Sequence, residues 1–233
     1  MGITPQITPV QNERVNFPDS QLSSSDAIYL AEVSSHPNLT YWLRPRYDDR
    51  YFGTNIFNLT INKIQGPALD IIIPVGQFLN SSKKELQNFT IAMQVIINLT
   101  DGIDSNTTFL TVYCINVQGD VPTRTDNYTI DSGSATGNLS LVINYIATND
   151  SIYDMHYTQL AVWAASDGPK QIPSGYIYNN TEVAWANDLL LAAGTTLHIP
   201  DVSVIPSFGF WFLIISLGII LLPYRRLKRG TRR

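Results

Sequence analysis

The chain alternates short apolar segments with polar turns over most of its length. From residue 28 onward, apolar and polar positions follow each other with period two, and clusters of Gly, Pro, Asn and Asp separate the segments. Outside the C-terminal region, only 182–193 favours a helix, because it is rich in Ala and Leu. The pattern predicts strands near 28–33, 39–44, 55–64, 68–73, 88–99, 108–117, 126–131, 138–147, 156–165, 175–178 and 194–199.

This succession of short strands predicts an all-β head domain over 28–200. A single β-sandwich of the jelly-roll type is the expected fold for about 170 residues with this strand spacing. Two tandem immunoglobulin-like sandwiches are the alternative, since each needs ~100 residues. One domain is favoured because 100–130 does not have the composition of a linker. Residues 1–27 are rich in Pro, Gln, Ser and Asn, which predicts an extended N-terminal arm.

The C-terminal region departs from the alternating pattern. Residues 202–224 form an uncharged run of 23 residues that is mostly apolar. At ~1.5 Å per residue such a helix reaches about 34 Å, enough to cross a hydrocarbon core of ~30 Å. The run therefore predicts one C-terminal transmembrane α-helix, with Trp211 and Tyr224 at headgroup depth.

A basic tail, 225–233, follows the predicted span. Its charges favour the inner side of the membrane, where they can contact lipid phosphates or a packaged nucleic acid. Of the 15 basic and 19 acidic residues in the chain, six of the basic ones are in this tail, so the preceding part carries about −10. This charge argues against nucleic-acid binding by the head. The six tail residues are Arg225, Arg226, Lys228, Arg229, Arg232 and Arg233.

Glycosylation sequons are the strongest chemical signal. The chain has ten Asn-x-Ser/Thr sequons, whereas about three are expected by chance from its 18 Asn and 38 Ser and Thr residues. The excess predicts N-linked glycans. The ten asparagines are Asn38, Asn58, Asn80, Asn88, Asn98, Asn106, Asn127, Asn138, Asn149 and Asn179.

Six of these sequons have an apolar middle residue. Because residues i and i+2 of a strand share one face and i+1 points to the other, we expect the Asn and the hydroxyl residue on the solvated face and the middle residue in the core. The segments 88–99 and 138–145 both follow this alternation. The six middle residues are Leu39, Leu59, Phe89, Leu99, Tyr128 and Leu139.

No pattern indicates catalysis, a metal or a cofactor, and we expect a protein that is not an enzyme. Cys114, the only cysteine, excludes an intrachain disulfide, and its apolar surroundings predict a buried thiol. Asp154 and His156 are interpreted as a surface hydrogen-bonded pair. The segment 101–106 resembles a fragment of a calcium loop but lacks its spacing, so a turn is expected.

The aromatic residues between 41 and 51 do not point to a ligand-binding surface. Tyr41, Trp42, Tyr47 and Tyr51 lie close together in the sequence. In a sandwich such residues are interpreted as core and strand-end positions. An adhesin or receptor module, which needs a binding surface, is therefore the less favoured class.

Together, the strand-rich 28–200, the sequons, the span at 202–224 and the basic tail resemble the capsid proteins of membrane-containing icosahedral viruses of archaea. That resemblance is architectural, and it implies a glycosylated jelly roll tethered to an internal membrane by its C-terminal helix. A second resemblance, to archaeal cell-surface glycoproteins with a C-terminal anchor, rests on Ile205, Pro206, Ser207 and Phe208 before the apolar run. Ser207 stands where the Pro-Glu-Phe sorting motif of those proteins has Glu.

These resemblances imply a structural coat subunit that packs against copies of itself, and against other coat proteins, over a bilayer. The expected location is a virion, with the span in the internal membrane and the head outside. The alternative is an archaeal cell membrane with an extracellular head, as in a surface layer. Residues 1–27 contain no secretory signal pattern, which favours the virion.

Overall fold

The computed structural model describes residues 26–176 and 179–201, which form two β-sheets and three α-helices. Short 3₁₀ helices occur at Leu30–Ser35, Asp150–Ile152, Pro169–Gln171 and Ser174–Tyr176. The α-helices are α1 (Gly137–Ala147), α2 (His156–Ser166) and α3 (Asn180–Ala192). The strands are β1 (Ala27–Tyr29), β2 (Leu39–Pro45), β3 (Phe52–Lys63), β4 (Leu69–Ile73), β5 (Gln77–Ser81), β6 (Phe89–Ile91), β7 (Val95–Leu99), β8 (Asp104–Cys114) and β9 (Tyr128–Ser134).

The larger sheet is antiparallel and has the strand order β2-β3-β8-β6-β5-β9. It is curled, so that its two edge strands approach each other: the Tyr41 hydroxyl on β2 accepts a hydrogen bond from the Ile130 N–H on β9 at 3.4 Å. The smaller sheet has the order β1-β4-β7, with β1 parallel and β7 antiparallel to β4. This arrangement is consistent with the predicted β-sandwich, and its jelly-roll form stays a prediction.

Aromatic side chains from three strands form the centre of the core. Phe57, Phe89 and Tyr128 pack edge to face, with ring centroids 4.8–5.6 Å apart, a geometry that aromatic pairs favour. Leu59 and Ile61 on β3 are fully buried, as the alternation of that strand predicts.

Most of the predicted strands in the first half of the head are confirmed. The segments 39–44, 55–64, 68–73, 108–117 and 126–131 correspond to β2, β3, β4, β8 and β9. The predicted strand 88–99 is divided into β6 and β7, and only the first residues of 28–33 are a strand, the rest being a 3₁₀ helix. Strand β5 was not predicted.

The prediction of an all-β head is corrected by α1 and α2, where strands were expected at 138–147 and 156–165. In α1 the buried residues are Leu139, Val142, Ile143 and Ile146, the i, i+3, i+4, i+7 spacing of one helix face, while Leu141 is exposed. Helix α2 is buried at every position from 158 to 164, so it has no polar face that would reveal a helical period.

Beyond α2, the predicted helix is confirmed and the two predicted strands are not. The helix expected at 182–193 is confirmed as α3, which begins after Asn179, whose Oδ1 accepts a hydrogen bond from the Glu182 N–H at 2.9 Å. Residues 174–176 form a 3₁₀ helix, and 194–199 is not a strand, so both strand predictions there are wrong for the described residues.

Much of the predicted N-terminal arm, the predicted span 202–224 and the basic tail lie outside the described residues. Within the described part of the chain, no helix combines the length and the apolar composition needed to cross a bilayer.

Candidate functional surface

All ten sequon asparagines lie in the described part of the chain, and none of them is buried. This is the accessibility that attachment of a glycan requires. Asn98, Asn106, Asn127, Asn138 and Asn179 are exposed, and Asn38, Asn58, Asn80, Asn88 and Asn149 are half-buried.

The expected inward direction of the sequon middle residues is confirmed. Each of the six is buried, and for the five that lie in strands the alternation places the Asn of the same sequon toward the solvent, whereas Leu139 lies on the buried face of α1. The sequon of Asn88 differs from the others at its third position, because Thr90 is fully buried. The six buried residues are Leu39, Leu59, Phe89, Leu99, Tyr128 and Leu139.

Hydrogen bonds donated by the asparagine side chain distinguish three sequons from the others. The amide nitrogen is the atom to which a glycan attaches, and in three sequons this nitrogen already donates within the protein. The Asn98 Nδ2 donates to Asp70 Oδ1 at 2.7 Å, the Asn149 Nδ2 donates to Tyr145 O at 2.8 Å, and the Asn80 Nδ2 donates to Asp131 Oδ2. Attachment at these three sites would compete with an existing contact.

The predicted membrane and genome contacts lie outside the described residues, as does the predicted span that precedes the basic tail. These predicted contacts are Trp211, Tyr224, Arg225, Arg226, Lys228, Arg229, Arg232 and Arg233.

The prediction of a buried thiol is confirmed at Cys114, the last residue of β8. Burial raises the pKa of this thiol to about 12, which keeps it protonated and unreactive at neutral pH. Strand β3 pairs with β8 only as far as Tyr113, so the backbone of Cys114 has no strand partner on that side.

The side chain of Gln159, in α2, takes the place of that strand. Its Oε1 accepts a hydrogen bond from the Cys114 N–H at 3.0 Å, and its Nε2 donates to the Cys114 carbonyl at 2.8 Å. Both residues are fully buried. Sequence analysis did not identify Gln159, although a lone amide within the apolar segment 158–164 is the kind of residue that needs a buried partner.

The polar residues considered for chemistry have structural partners. Asp154 accepts hydrogen bonds from the Thr54 N–H at 2.9 Å and pairs with Arg50, whereas His156 Nδ1 lies 3.2 Å from Glu182 Oε2. The predicted Asp154–His156 pair is therefore corrected. Among the described residues, no group of His, Cys, Asp or Glu has the arrangement of a metal site.

Two acidic residues secure turns. Asp104 accepts hydrogen bonds from the N–H and hydroxyl of Thr100, at 2.6 and 2.9 Å, across the bend at 101–103. The turn predicted at 101–106 is therefore confirmed only at 101–103, because 104–106 are the first residues of β8. Asp126, which is buried, accepts a hydrogen bond from Lys83 at 2.6 Å and another from the Thr123 N–H at 2.7 Å. These bonds, that from Lys83 foremost, lower the pKa of Asp126.

Two exposed tryptophans mark surfaces that the sequence analysis did not predict. Trp42 is 65 % exposed in the middle of β2, which corrects its interpretation as a core or strand-end residue. Trp185, on α3, is 52 % exposed and packs edge to face on Tyr157 with centroids 5.6 Å apart. It lines an apolar groove of about 520 Å³ together with Tyr145, Ile152, Met155, Tyr157 and Leu189.

Comparisons with protein-family models, with curated proteins and with solved structures found no match for this chain.

Proposed function

We propose that this chain is a non-enzymatic structural coat subunit, with a glycosylated β-rich head outside a bilayer, one C-terminal span at 202–224 and a basic inner tail. The observation that carries the proposal is that all ten sequon asparagines are at least partly exposed. Glycans at these positions shield the sheet surface and keep a closely packed head soluble. The jelly-roll form of the sandwich belongs to this proposal, since two packed sheets are its basis.

The apolar groove on the helical side of the head supports lateral packing. Met155, beside α2, and Trp185, on α3, are exposed and both line this groove, and large apolar residues exposed together are typical of protein contact surfaces. Aromatic residues and methionine are also enriched at such interfaces. In the proposed coat, this side of the head contacts a neighbouring subunit, while the bilayer anchor fixes the height of each head.

The proposed coat belongs to a virion of the membrane-containing archaeal kind, and a surface layer on an archaeal cell is the second candidate. The same sequon exposure supports both, since both kinds of coat present glycosylated heads to the medium. They differ in what lies beneath the membrane, namely packaged genome or cytoplasm.

A density gradient of native material separates the two candidates. After nuclease treatment, peptide mass spectrometry locates the protein in each fraction. A virion coat protein bands in uniform particles with nuclease-protected nucleic acid, whereas a surface-layer protein stays with cell envelopes. Recovery as a free, unglycosylated protein in the soluble fraction would refute both.

The role of the basic tail is tested by replacing its six basic residues with Gln. If the tail holds lipid phosphates or genome, the head of this variant folds and is glycosylated normally, but orientation or assembly is impaired. The matched control keeps a Lys or Arg at each of the six positions but changes the order of Lys and Arg, so that the charge of the tail is unchanged. Unchanged assembly of the Gln variant would exclude the proposed tail contacts.

A further inference from the structure

The outer face of β2, β3 and β8 combines a sequon with exposed aromatic side chains. On this face Asn58 of β3 stands opposite Arg44 of β2 and opposite Phe109 of β8. Trp42 stands opposite Thr60, the hydroxyl residue of the same sequon. Trp42 is therefore the diagonal neighbour of Asn58, at a Cα separation of about 7–8 Å, within reach of a large side chain.

The aromatic side chains flank Asn58 from both neighbouring strands. Phe109 is 46 % exposed, and the Arg46 guanidinium lies over its ring, 4.2 Å from the centroid. No described ring or cation covers the Trp42 indole in this way. A large, flat apolar surface is thus exposed beside a glycan attachment point.

The polar groups between the aromatic residues are arranged as in a small binding site. Trp42, Arg44, Asn58 and Thr60 line a shallow pocket of about 300 Å³, at the lower end of the range for ligand sites. The Asn58 Oδ1 is buried and has no hydrogen-bond partner among the described residues. A buried acceptor in this state is costly, so a ligand that donates a hydrogen bond here is stabilised.

We propose that this pocket binds the first sugar of an N-linked glycan on Asn58, with one face of the pyranose ring stacked on Trp42. The ring C–H groups contact the indole, while Arg44 donates hydrogen bonds to ring hydroxyls and a sugar N–H or O–H reaches the unpaired Oδ1. Because the sugar is attached covalently to Asn58, its contact with Trp42 does not carry the cost in translational and rotational entropy that binding of a free ligand carries. This inference rests on the proposed function, because it requires a glycosylated head.

The ordered sugar would have two physical effects on the sheet. It would cover the exposed indole, which otherwise remains an apolar feature on a polar sheet face. It would also hold the remaining glycan close to the surface of β2 and β3 instead of letting it extend freely. We therefore expect the Asn58 glycan to be less accessible to glycosidases than a glycan on an exposed site with no aromatic neighbour.

Tryptophan quenching tests the contact directly. The chain has four tryptophans, and Trp185→Phe with Trp211→Phe leaves Trp42 and the fully buried Trp163, so quenching by acrylamide reports on Trp42. In native glycosylated protein we expect weak quenching, rising several-fold in Asn58→Gln. Asn106→Gln is the matched control, because Asn106 stands opposite Ile61 of β3 and not opposite a residue of the outer face. Quenching of Trp42 in this variant should stay weak.

Release of glycans provides a second measurement that needs only one substitution. In Trp42→Ala, an amidase should remove the Asn58 glycan several-fold faster than in the wild type, while release from Asn127 in the same molecule is unchanged. If Asn58 is occupied but quenching is the same with and without Asn58→Gln, the inference is overturned. An unaltered release rate in Trp42→Ala would overturn it as well. Either result would leave the proposal of a glycosylated head standing. An empty Asn58 beside occupied sequons would do the same, whereas ten empty sequons would refute the proposed function as well.

Discussion

Replacing Gln159 by Met probes the contact that joins α2 to the sheet. The Gln159 carboxamide is the described partner of both the N–H and the carbonyl of Cys114. Met has a similar length and is flexible, so the substitution removes two hydrogen bonds with little change of volume. Because the site is fully buried, water cannot take the place of the amide, and both backbone groups lose their partner.

The size of the effect follows from the cost of buried polar groups without partners. Each such group costs about 1–3 kcal/mol, so the two together predict a loss of about 2–6 kcal/mol in the free energy of unfolding. A domain of this kind has a total stability of about 5–15 kcal/mol. The variant should therefore fold under mild conditions but unfold at a clearly lower urea concentration.

Urea unfolding and amide hydrogen exchange measure the two parts of this prediction. The urea midpoint should fall in Gln159→Met, and the Cys114 amide should exchange faster than other β8 amides. Gln118→Met, in an exposed loop, is the matched control and should change stability by less than about 0.5 kcal/mol. A loss below about 1 kcal/mol with the Cys114 amide still protected would refute the reasoning.

Three further predictions concern other parts of the head. In the folded protein the pKa of Asp126 lies below the value near 3.9 that an Asp has in the unfolded chain. The ionised Asp126 therefore stabilises the fold above about pH 3.9, and this contribution is lost as the pH falls through the folded-state pKa. Asp126→Asn should therefore flatten the decline in urea midpoint between about pH 5 and pH 2. Gly53→Ala should destabilise the head by about 1–3 kcal/mol, because φ is +98° and the new Cβ would contact Asp154 and lie 3.1 Å from Tyr153 O. Gly102→Ala, with φ +79° and open space around it, should cost less in the same unfolding assay. Trp185→Ser should weaken self-association in sedimentation velocity without changing the urea midpoint, whereas exposed Ala184→Ser on the same helix should leave both unchanged.

Period-two alternation predicted those parts of the fold in which one face of a strand is buried. On β3, Leu59 and Ile61 are buried and the alternating Asn58, Thr60 and Asn62 are half-buried, so the sequence pattern and the structure agree. The same alternation correctly placed five of the six apolar middle residues in the core, because each of these positions depends on its own strand and not on distant residues. The sixth, Leu139, is buried as predicted but on a face of helix α1.

Period-two alternation gave wrong strand predictions where the apolar residues fit a helical period as well, or no period at all. In α1, Leu139 and Ile143 belong both to a period-two set and to a helical face, and burial of Val142 and Ile146 decides for the helix. In α2 the surrounding protein buries all sides, so neither period is visible in the sequence. The contact of Gln159 with Cys114 joins residues 45 positions apart, and no local pattern could have shown it.

The structure also shows which sequon best distinguishes glycosylation from local structural preference. Seven sequons lie in a strand or directly before one, where alternation alone favours Asn and Thr on the outer face, and five of these have an apolar middle residue that is buried. Asn179 caps α3 through its side chain, and the Asn149 side chain donates to the Tyr145 carbonyl near the end of α1, so local structure favours both residues without any glycan. Asn138 has neither explanation, because it lies in the first turn of α1, is exposed and is not the cap. Glycopeptide mass spectrometry should therefore find Asn138 occupied. An unmodified Asn138 beside unmodified strand sequons would mean that strand alternation and helix capping, and not a transferase, account for the excess of sequons.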